Sequence, residues 1–391
     1  MEKTVPLKAR RLSDIEPFYV MKILARAHEL EREGRSVVHM EVGEPDFDTA
    51  APIVEAGIRA LRAGETHYTA AMGIAPLREA IADFYERRYS LDLNPHRVAV
   101  TPGATDALQL VLAALVDPGD EVILTDPGYP CNRHYVRMME GRAVWIPVTA
   151  ETGYQLTAEL VEKHWTPKTK AVLVASPANP TGTMVAREEM LALSELTKRR
   201  GAALIVDEIY HGLTYGVKAE SVLEINDEAF VINSFSKYFG MTGWRIGWLV
   251  APDRFVEDID KLAQNLVLAV STPAQHAALA AFGDEAMAIH EERRATFSKR
   301  RDFLLPALKE LGFKIPASPV GAFYLYADCS DLTQDSSECA ARILEEVGVA
   351  VTPGKDFGSH RSSEHIRFAY TTSIENLREG VSRLERFLKS R

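Results

Sequence analysis

Residues 229 to 251, AFVINSFSKYFGMTGWRIGWLVA, hold two short runs rich in β-branched and aromatic residues, AFVINS (229 to 234) and RIGWLVA (245 to 251). Between them sits one lysine, Lys237, with Ser234 and Ser236 before it and Arg245 opening the second run. Each run has the length and residue types of a buried strand. A lysine placed among small and aromatic neighbours is costly to bury as an ion unless something compensates its charge. The same texture recurs upstream in RVAVT (97 to 101), EVILT (121 to 125), KAVLVAS (170 to 176) and AALIVD (202 to 207). Helical stretches lie between them, such as DALQLVLAALV (106 to 116) and AREEMLALSELTKRRG (186 to 201), the latter closing on Gly201, a residue that favours a helix C-terminus. Strand and helix in alternation predict an α/β fold with a mostly parallel sheet covered on both faces.

After residue 283 the texture changes to a long charged helical segment, then to shorter strands such as GAFYLYAD and a closing helix near 374 to 390. A large domain is therefore expected over 47–283. A smaller α+β domain is expected to combine 284–391 with the N-terminal residues 1–46, which contain an amphipathic helix (MKILARAHELEREG) and an extended VVHMEVG. The chain of 391 residues carries a net charge of -10 and has no lysine- and arginine-rich run, which argues against nucleic acid as a partner. No window reaches the apolar length of a membrane helix, and the start lacks an apolar stretch after its basic residues, so a soluble, cytoplasmic protein is expected. Three cysteines without CxxC spacing fit a reducing compartment, and the eleven scattered histidines show no metal-ligand spacing.

In an open α/β sheet, ligands bind beyond the carboxyl ends of the strands. PGAT (102 to 105) follows RVAVT, PGYP (127 to 130) follows EVILTD, and PANPTG (177 to 182) follows KAVLVAS; Asp207 ends AALIVD, and Ser234 to Lys237 end AFVINS. Any one of these segments is read as an ordinary turn. Their joint position at one rim suits a phosphorylated aromatic aldehyde held as a Schiff base. A lysine at low dielectric near other positive charge is a nucleophile toward carbonyls, the role open to Lys237. The turn at Gly103, Ala104 and Thr105, opening a helix, offers N–H groups to a phosphate, and Ser234, Ser236 and Arg245 add hydroxyl and guanidinium donors. Asp207 can keep a pyridine nitrogen protonated, Asn179 and Tyr210 can hydrogen-bond a ring hydroxyl, and Tyr129 can stack on the ring.

Nine segments in one order carry a family resemblance: VGEPDFDTA (42 to 50), HYTAAMGIAPLREAIADFY (67 to 85), TPGATDAL (101 to 108), ASPANPTG (175 to 182), VDEIYHGLTY (206 to 215), SFSKYFGMTGWRIGW (234 to 248), PVGAFYLY (319 to 326), VTPGKDFG (351 to 358) and HIRFAY (365 to 370). The chain resembles the class I/II aminotransferases, fold type I enzymes dependent on pyridoxal 5'-phosphate. The resemblance implies a large domain with a mostly parallel seven-stranded sheet, and a homodimer with shared active sites. It implies that Lys237 carries the cofactor and moves the substrate proton, that Asp207 partners the pyridine nitrogen, that Asn179 and Tyr210 meet the ring oxygen, and that Tyr129 stacks over the ring. Gly103, Ala104, Thr105, Ser234, Ser236 and Arg245 would hold the phosphate, with Tyr68 reaching over from the neighbouring subunit. Arg367 would grip the substrate α-carboxylate beside Asn179 and the backbone of Gly43; the resemblance alone assigns Arg367 and Tyr68.

Substrate choice rests on departures from the family. Dicarboxylate-specific relatives use a second basic residue for the distal carboxylate; one subgroup draws it from the neighbouring subunit, in the region between the lysine motif and the long helix, yet residues 262–292 contain no lysine or arginine. A prokaryotic subgroup instead carries a lysine in the phosphate turn, where this chain has Thr105. Both departures weigh against an aspartate aminotransferase and favour a neutral or hydrophobic amino donor, with Phe18, Tyr19 and Tyr324 near its side chain and 2-oxoglutarate or pyruvate as acceptor. A carbon-sulfur β-lyase or an aminocyclopropane-carboxylate-synthase-like enzyme is one alternative on the same fold and cofactor, and an aspartate aminotransferase is another.

Overall fold

The computed structural model describes residues 7–390; residues 1–6 of the expected N-terminal segment, and Arg391, lie outside the described residues. A helix, Tyr19–Arg32, leads into the short strand β1 (Val38–His39). No side chain of its own N-cap closes that helix. Asp356 does so from 337 residues away, its carboxylate accepting the N–H groups of Tyr19 at 2.8 Å and Val20 at 3.2 Å.

The central sheet contains β2 (Val98–Thr101), β3 (Glu121–Asp126), β4 (Arg142–Pro147), β5 (Thr169–Ala175), β6 (Ala203–Asp207), β7 (Phe230–Ser234) and β8 (Gly247–Val250). Their spatial order is β2-β8-β7-β6-β5-β3-β4, and every strand except β8 runs in the same direction. This is the mostly parallel seven-stranded sheet of the expected α/β fold. Alternate residues feed two separate cores. Val100, Val172, Val206 and Val231 pack with the helix Ala75–Tyr89 and with Met190 and Leu193 of the helix Arg187–Arg200. Ala99, Leu173, Ile205 and Ile232 pack with the helices Ala104–Leu115 and Val256–Leu266. Burial on both faces is why the inner strands read as near-continuous apolar runs. Strand β4, absent from the expected set, is an edge strand whose residues run from exposed to buried and back, so RAVWIP lacks that signature.

The remaining strands are β9 (Tyr324–Asp328), β10 (Val349–Ala350), β11 (Thr352–Pro353) and β12 (His365–Ala369). β12 lies between β11 and β9, antiparallel to both, and β1 pairs in parallel with β10. No described helix is long and apolar enough to cross a membrane.

Candidate active site

The sheet's one reversed strand builds the site. β8 inserts between β2 and β7, so that Gly247 pairs with Thr101 on one side and Ser234 on the other. Two segments more than a hundred residues apart thereby end side by side. The approach is close: a Cβ at Gly247 would lie 2.8 Å from the Asn233 carbonyl oxygen and 2.9 Å from the Gly103 carbonyl carbon. Gly103 itself turns the chain into the helix Ala104–Leu115 with φ +87°, and a Cβ there would sit 2.6 Å from Nη2 of Arg245. Arg245 adopts a left-handed backbone, φ +52°, a conformation that functional sites tolerate at some cost, and donates from Nη1 to the Thr242 carbonyl at 2.9 Å. The Ser236 N–H donates to Ser234 Oγ at 3.0 Å, and the two hydroxyls are 2.9 Å apart. A helix N-terminus, hydroxyl groups and a guanidinium thus form one anion cup at the rim.

Lys237 is half-buried beside the cup and donates from Nζ to the Gly43 carbonyl at 2.8 Å. Burial pushes its pKa down to about 8; nearby Glu44 pulls the other way, and Arg245 and Arg367 push it further down. Asp207, at the end of β6, accepts the Ile209 N–H at 3.0 Å; burial raises its pKa to about 6, against that hydrogen bond and the charge of Lys237. Asp207 is therefore ionised and Lys237 largely protonated at neutral pH. Deprived of its cofactor, the chain should take up pyridoxal phosphate at a rate that rises about tenfold per pH unit below pH ~8 and levels off above it, because only the neutral amine attacks a carbonyl. Stopped-flow absorbance would check this, and a rate flat across that range would contradict it.

Arg367, on β12, is 4% exposed. Its Nη1 donates to Asn179 Oδ1 at 2.9 Å, and its Nη2 donates to the Glu41 carbonyl and, at 3.4 Å, to Thr352 Oγ1. The guanidinium lies 4.3 Å from the Tyr324 ring centroid and 4.7 Å from that of Phe357, and its Nε has no hydrogen-bond partner among the described residues. A buried cation with a spare donor is the feature expected where an anionic ligand completes the site. Tyr324 and Tyr210 share a hydroxyl contact of 2.9 Å. Gly43 makes room for that pair, since a Cβ there would lie 2.0 Å from the Tyr324 hydroxyl. Gly43→Ala should therefore displace Tyr324, lower stability by about 1–3 kcal/mol and weaken substrate binding, as thermal melts and KM would show.

The structure brings together Gly103, Ala104, Thr105, Ser234, Ser236 and Arg245 at the cup, and Gly43, Asn179, Tyr210 and Arg367 near Lys237. Tyr129, half-buried after β3, meets the Phe18 ring edge-on at a centroid distance of 6.3 Å. Tyr19 instead faces Lys355, whose Nζ is 5.2 Å from its ring centroid. Tyr68 is 82% exposed. Glu41 and Thr352, which hold Arg367, were not anticipated. Glu41 acts there through its main-chain carbonyl, which any residue could supply, so no residue type announces it.

The Aminotransferase class I and II family matches residues 35–384. The chain belongs to that family. Similar aminotransferases include the (5-formylfuran-3-yl)methyl phosphate transaminase of Methanocaldococcus jannaschii, 38% identical over 97% of this chain and 99% of that protein. The valine–pyruvate aminotransferase of Mycobacterium tuberculosis is 36% identical over 96% and 97% of the two chains. The aspartate aminotransferase of Thermus thermophilus, solved with maleate, superposes with a TM-score of 0.92 at 37% identity, covering 98% of this chain and 100% of that one. As an aminotransferase of fold type I the protein depends on pyridoxal phosphate. The donor set fits that group: the tight approach at Gly103 and Gly247 leaves N–H groups for its phosphate, and Lys237, Asp207 and the spare donor of Arg367 converge beside it.

Proposed function

We propose that this aminotransferase takes its amino group from an L-amino acid with a neutral or hydrophobic side chain and passes it to a 2-oxo acid such as 2-oxoglutarate or pyruvate. Pyridoxal phosphate, when bound, accepts the electron pair left as the substrate Cα–H bond breaks. The chain's residues do the rest. Lys237 Nζ, in its neutral form, would take the proton from the substrate Cα and hold it for return. The Asp207 carboxylate would partner the pyridine nitrogen and keep it protonated. Asn179 and Tyr210 would hold the ring oxygen, Tyr129 would pack on the ring, and Gly103, Ala104, Thr105, Ser234, Ser236 and Arg245 would hold the phosphate. Arg367 receives the α-carboxylate with its planar fork, beside Asn179 and the Gly43 backbone.

The observation that carries the substrate reading is the half-buried Thr105, standing where a lysine would serve a second carboxylate, with the aromatic rings of Tyr324 and Phe357 packed against Arg367. A panel of amino donors with 2-oxoglutarate and pyruvate tests it. Highest kcat/KM with a branched or aromatic donor is expected; a strong preference for aspartate would overturn it, and pyruvate and ammonia from a cysteine conjugate without any acceptor would indicate a β-lyase.

The working unit is proposed to be a cytoplasmic homodimer in which Tyr68 reaches the partner's phosphate cup. In support, Thr272 donates to the His67 carbonyl at 2.6 Å, which sets Tyr68 near the 266–272 segment, where Leu266 and Leu268 are also exposed. A large domain over 47–283, with 1–46 and 284–391 forming the smaller one, is proposed on the separate membership of the sheets.

A further inference from the structure

The helix Tyr19–Arg32 and strand β1 bring His28, Glu31 and His39 together at the surface. His28 and Glu31, three positions apart, share a helix face, and His39 comes from the strand that follows. One donor atom of each lies within 4.8 Å of the other two; His39 Nε2 is 3.2 Å from Glu31 Oε1, and the two imidazole centroids are 5.8 Å apart. Two features distinguish this trio from an ordinary charged surface. Two imidazoles and one carboxylate form a donor mix favoured by zinc and its first-row neighbours. The second feature lies beneath: His39 Nδ1 is 2.8 Å from Oε1 of Glu41, a carboxylate with 0% exposure whose other oxygen has no hydrogen-bond partner among the described residues. A carboxylate on the far nitrogen of a ligating histidine fixes its tautomer and ring orientation.

We propose that His28, Glu31 and His39 form a binding site for a divalent transition-metal ion of the zinc class, with His39 coordinating through Nε2, Glu41 as its positioning residue, and water in the remaining position. Donor atoms around a tetrahedral zinc stand about 3.3 Å apart, so the exposed side chains of His28 and Glu31 need only rotate inward while His39 stays where Glu41 holds it. Glu41 also connects the site to the catalytic region, since its main-chain carbonyl accepts from Arg367 Nη2.

Calorimetric titration of the chelator-treated holoenzyme with zinc chloride tests the proposal. One ion should bind per chain, with affinity reduced at least about tenfold in His28→Ala and in Glu31→Gln, and about 10- to 100-fold in Glu41→Gln at unchanged stoichiometry. His28 touches nothing in the phosphate cup, so His28→Ala should transaminate like the parent and serves as the folding control. Absence of saturable binding would overturn the proposal and leave the trio as an ion-pair cluster centred on His39. Binding that survives both His28→Ala and Glu31→Gln would equally overturn it, by placing the ion elsewhere.

Discussion

Replacing Lys237 by alanine should lower kcat by about 10⁴-fold, the upper end of what a positioned proton-transfer group contributes. The same variant should lose the visible absorbance of the bound cofactor. Its fold should survive, and the pH dependence of stability shows why. In the cofactor-free protein, burial lowers the Lys237 pKa from 10.5 to about 8. Between those values the unfolded chain binds more protons than the folded one, so the Lys237 contribution makes stability rise with pH across the window. The alanine variant should lack that rise, and at neutral pH it should melt no lower than the cofactor-free parent, because a costly buried amine is gone. Steady-state kinetics and thermal melts near pH 7.5 and pH 10 separate the two effects. Turnover within about tenfold of the parent would remove Lys237 from the mechanism.

Arg367→Ala should cost about 2–5 kcal/mol of transition-state binding, the range for removing one partner of a buried charge pair, which corresponds to roughly 30- to 4,000-fold in kcat/KM. The loss should be of similar size for amino donor and oxo-acid acceptor, because both present an α-carboxylate. A loss confined to one of them would mean that Arg367 holds a side-chain group instead. Arg367→Lys should recover little. An ammonium cannot donate simultaneously to Asn179 and the Glu41 carbonyl while lying flat between Tyr324 and Phe357.

The inner strands were legible because they are buried on both faces and stop at Gly-, Pro- or Asn-rich turns; β4 was not, because an edge strand keeps mixed polarity. Lys237, Asp207 and Asn179 could be placed at one rim because each ends or closely follows a recognisable strand. Arg367 was different. It lies inside HIRFAY on β12, and nothing in that run distinguishes an arginine buried against two rings from one in a surface ion pair, so only the family resemblance marked it. The helix Tyr19–Arg32 begins two residues earlier than the quoted amphipathic stretch, since its start is capped by Asp356, a partner invisible to local pattern. Gly43 was named for its backbone, while its clearance from the Tyr324 hydroxyl emerged only in three dimensions.

The reversed strand β8 also sets a timetable. β2 is a sheet edge that pairs, among the described strands, with β8, so the two halves of the phosphate cup meet side by side only once residues 247–250 lie between β2 and β7. Closing so long a loop is slow relative to local helix formation. The phosphate cup is complete only when β8 is in place, and a ligand that binds only the finished cup draws the folding equilibrium toward the native state. Pyridoxal phosphate should therefore stabilise the threaded sheet itself as well as the site, raising the melting temperature of the whole large sheet.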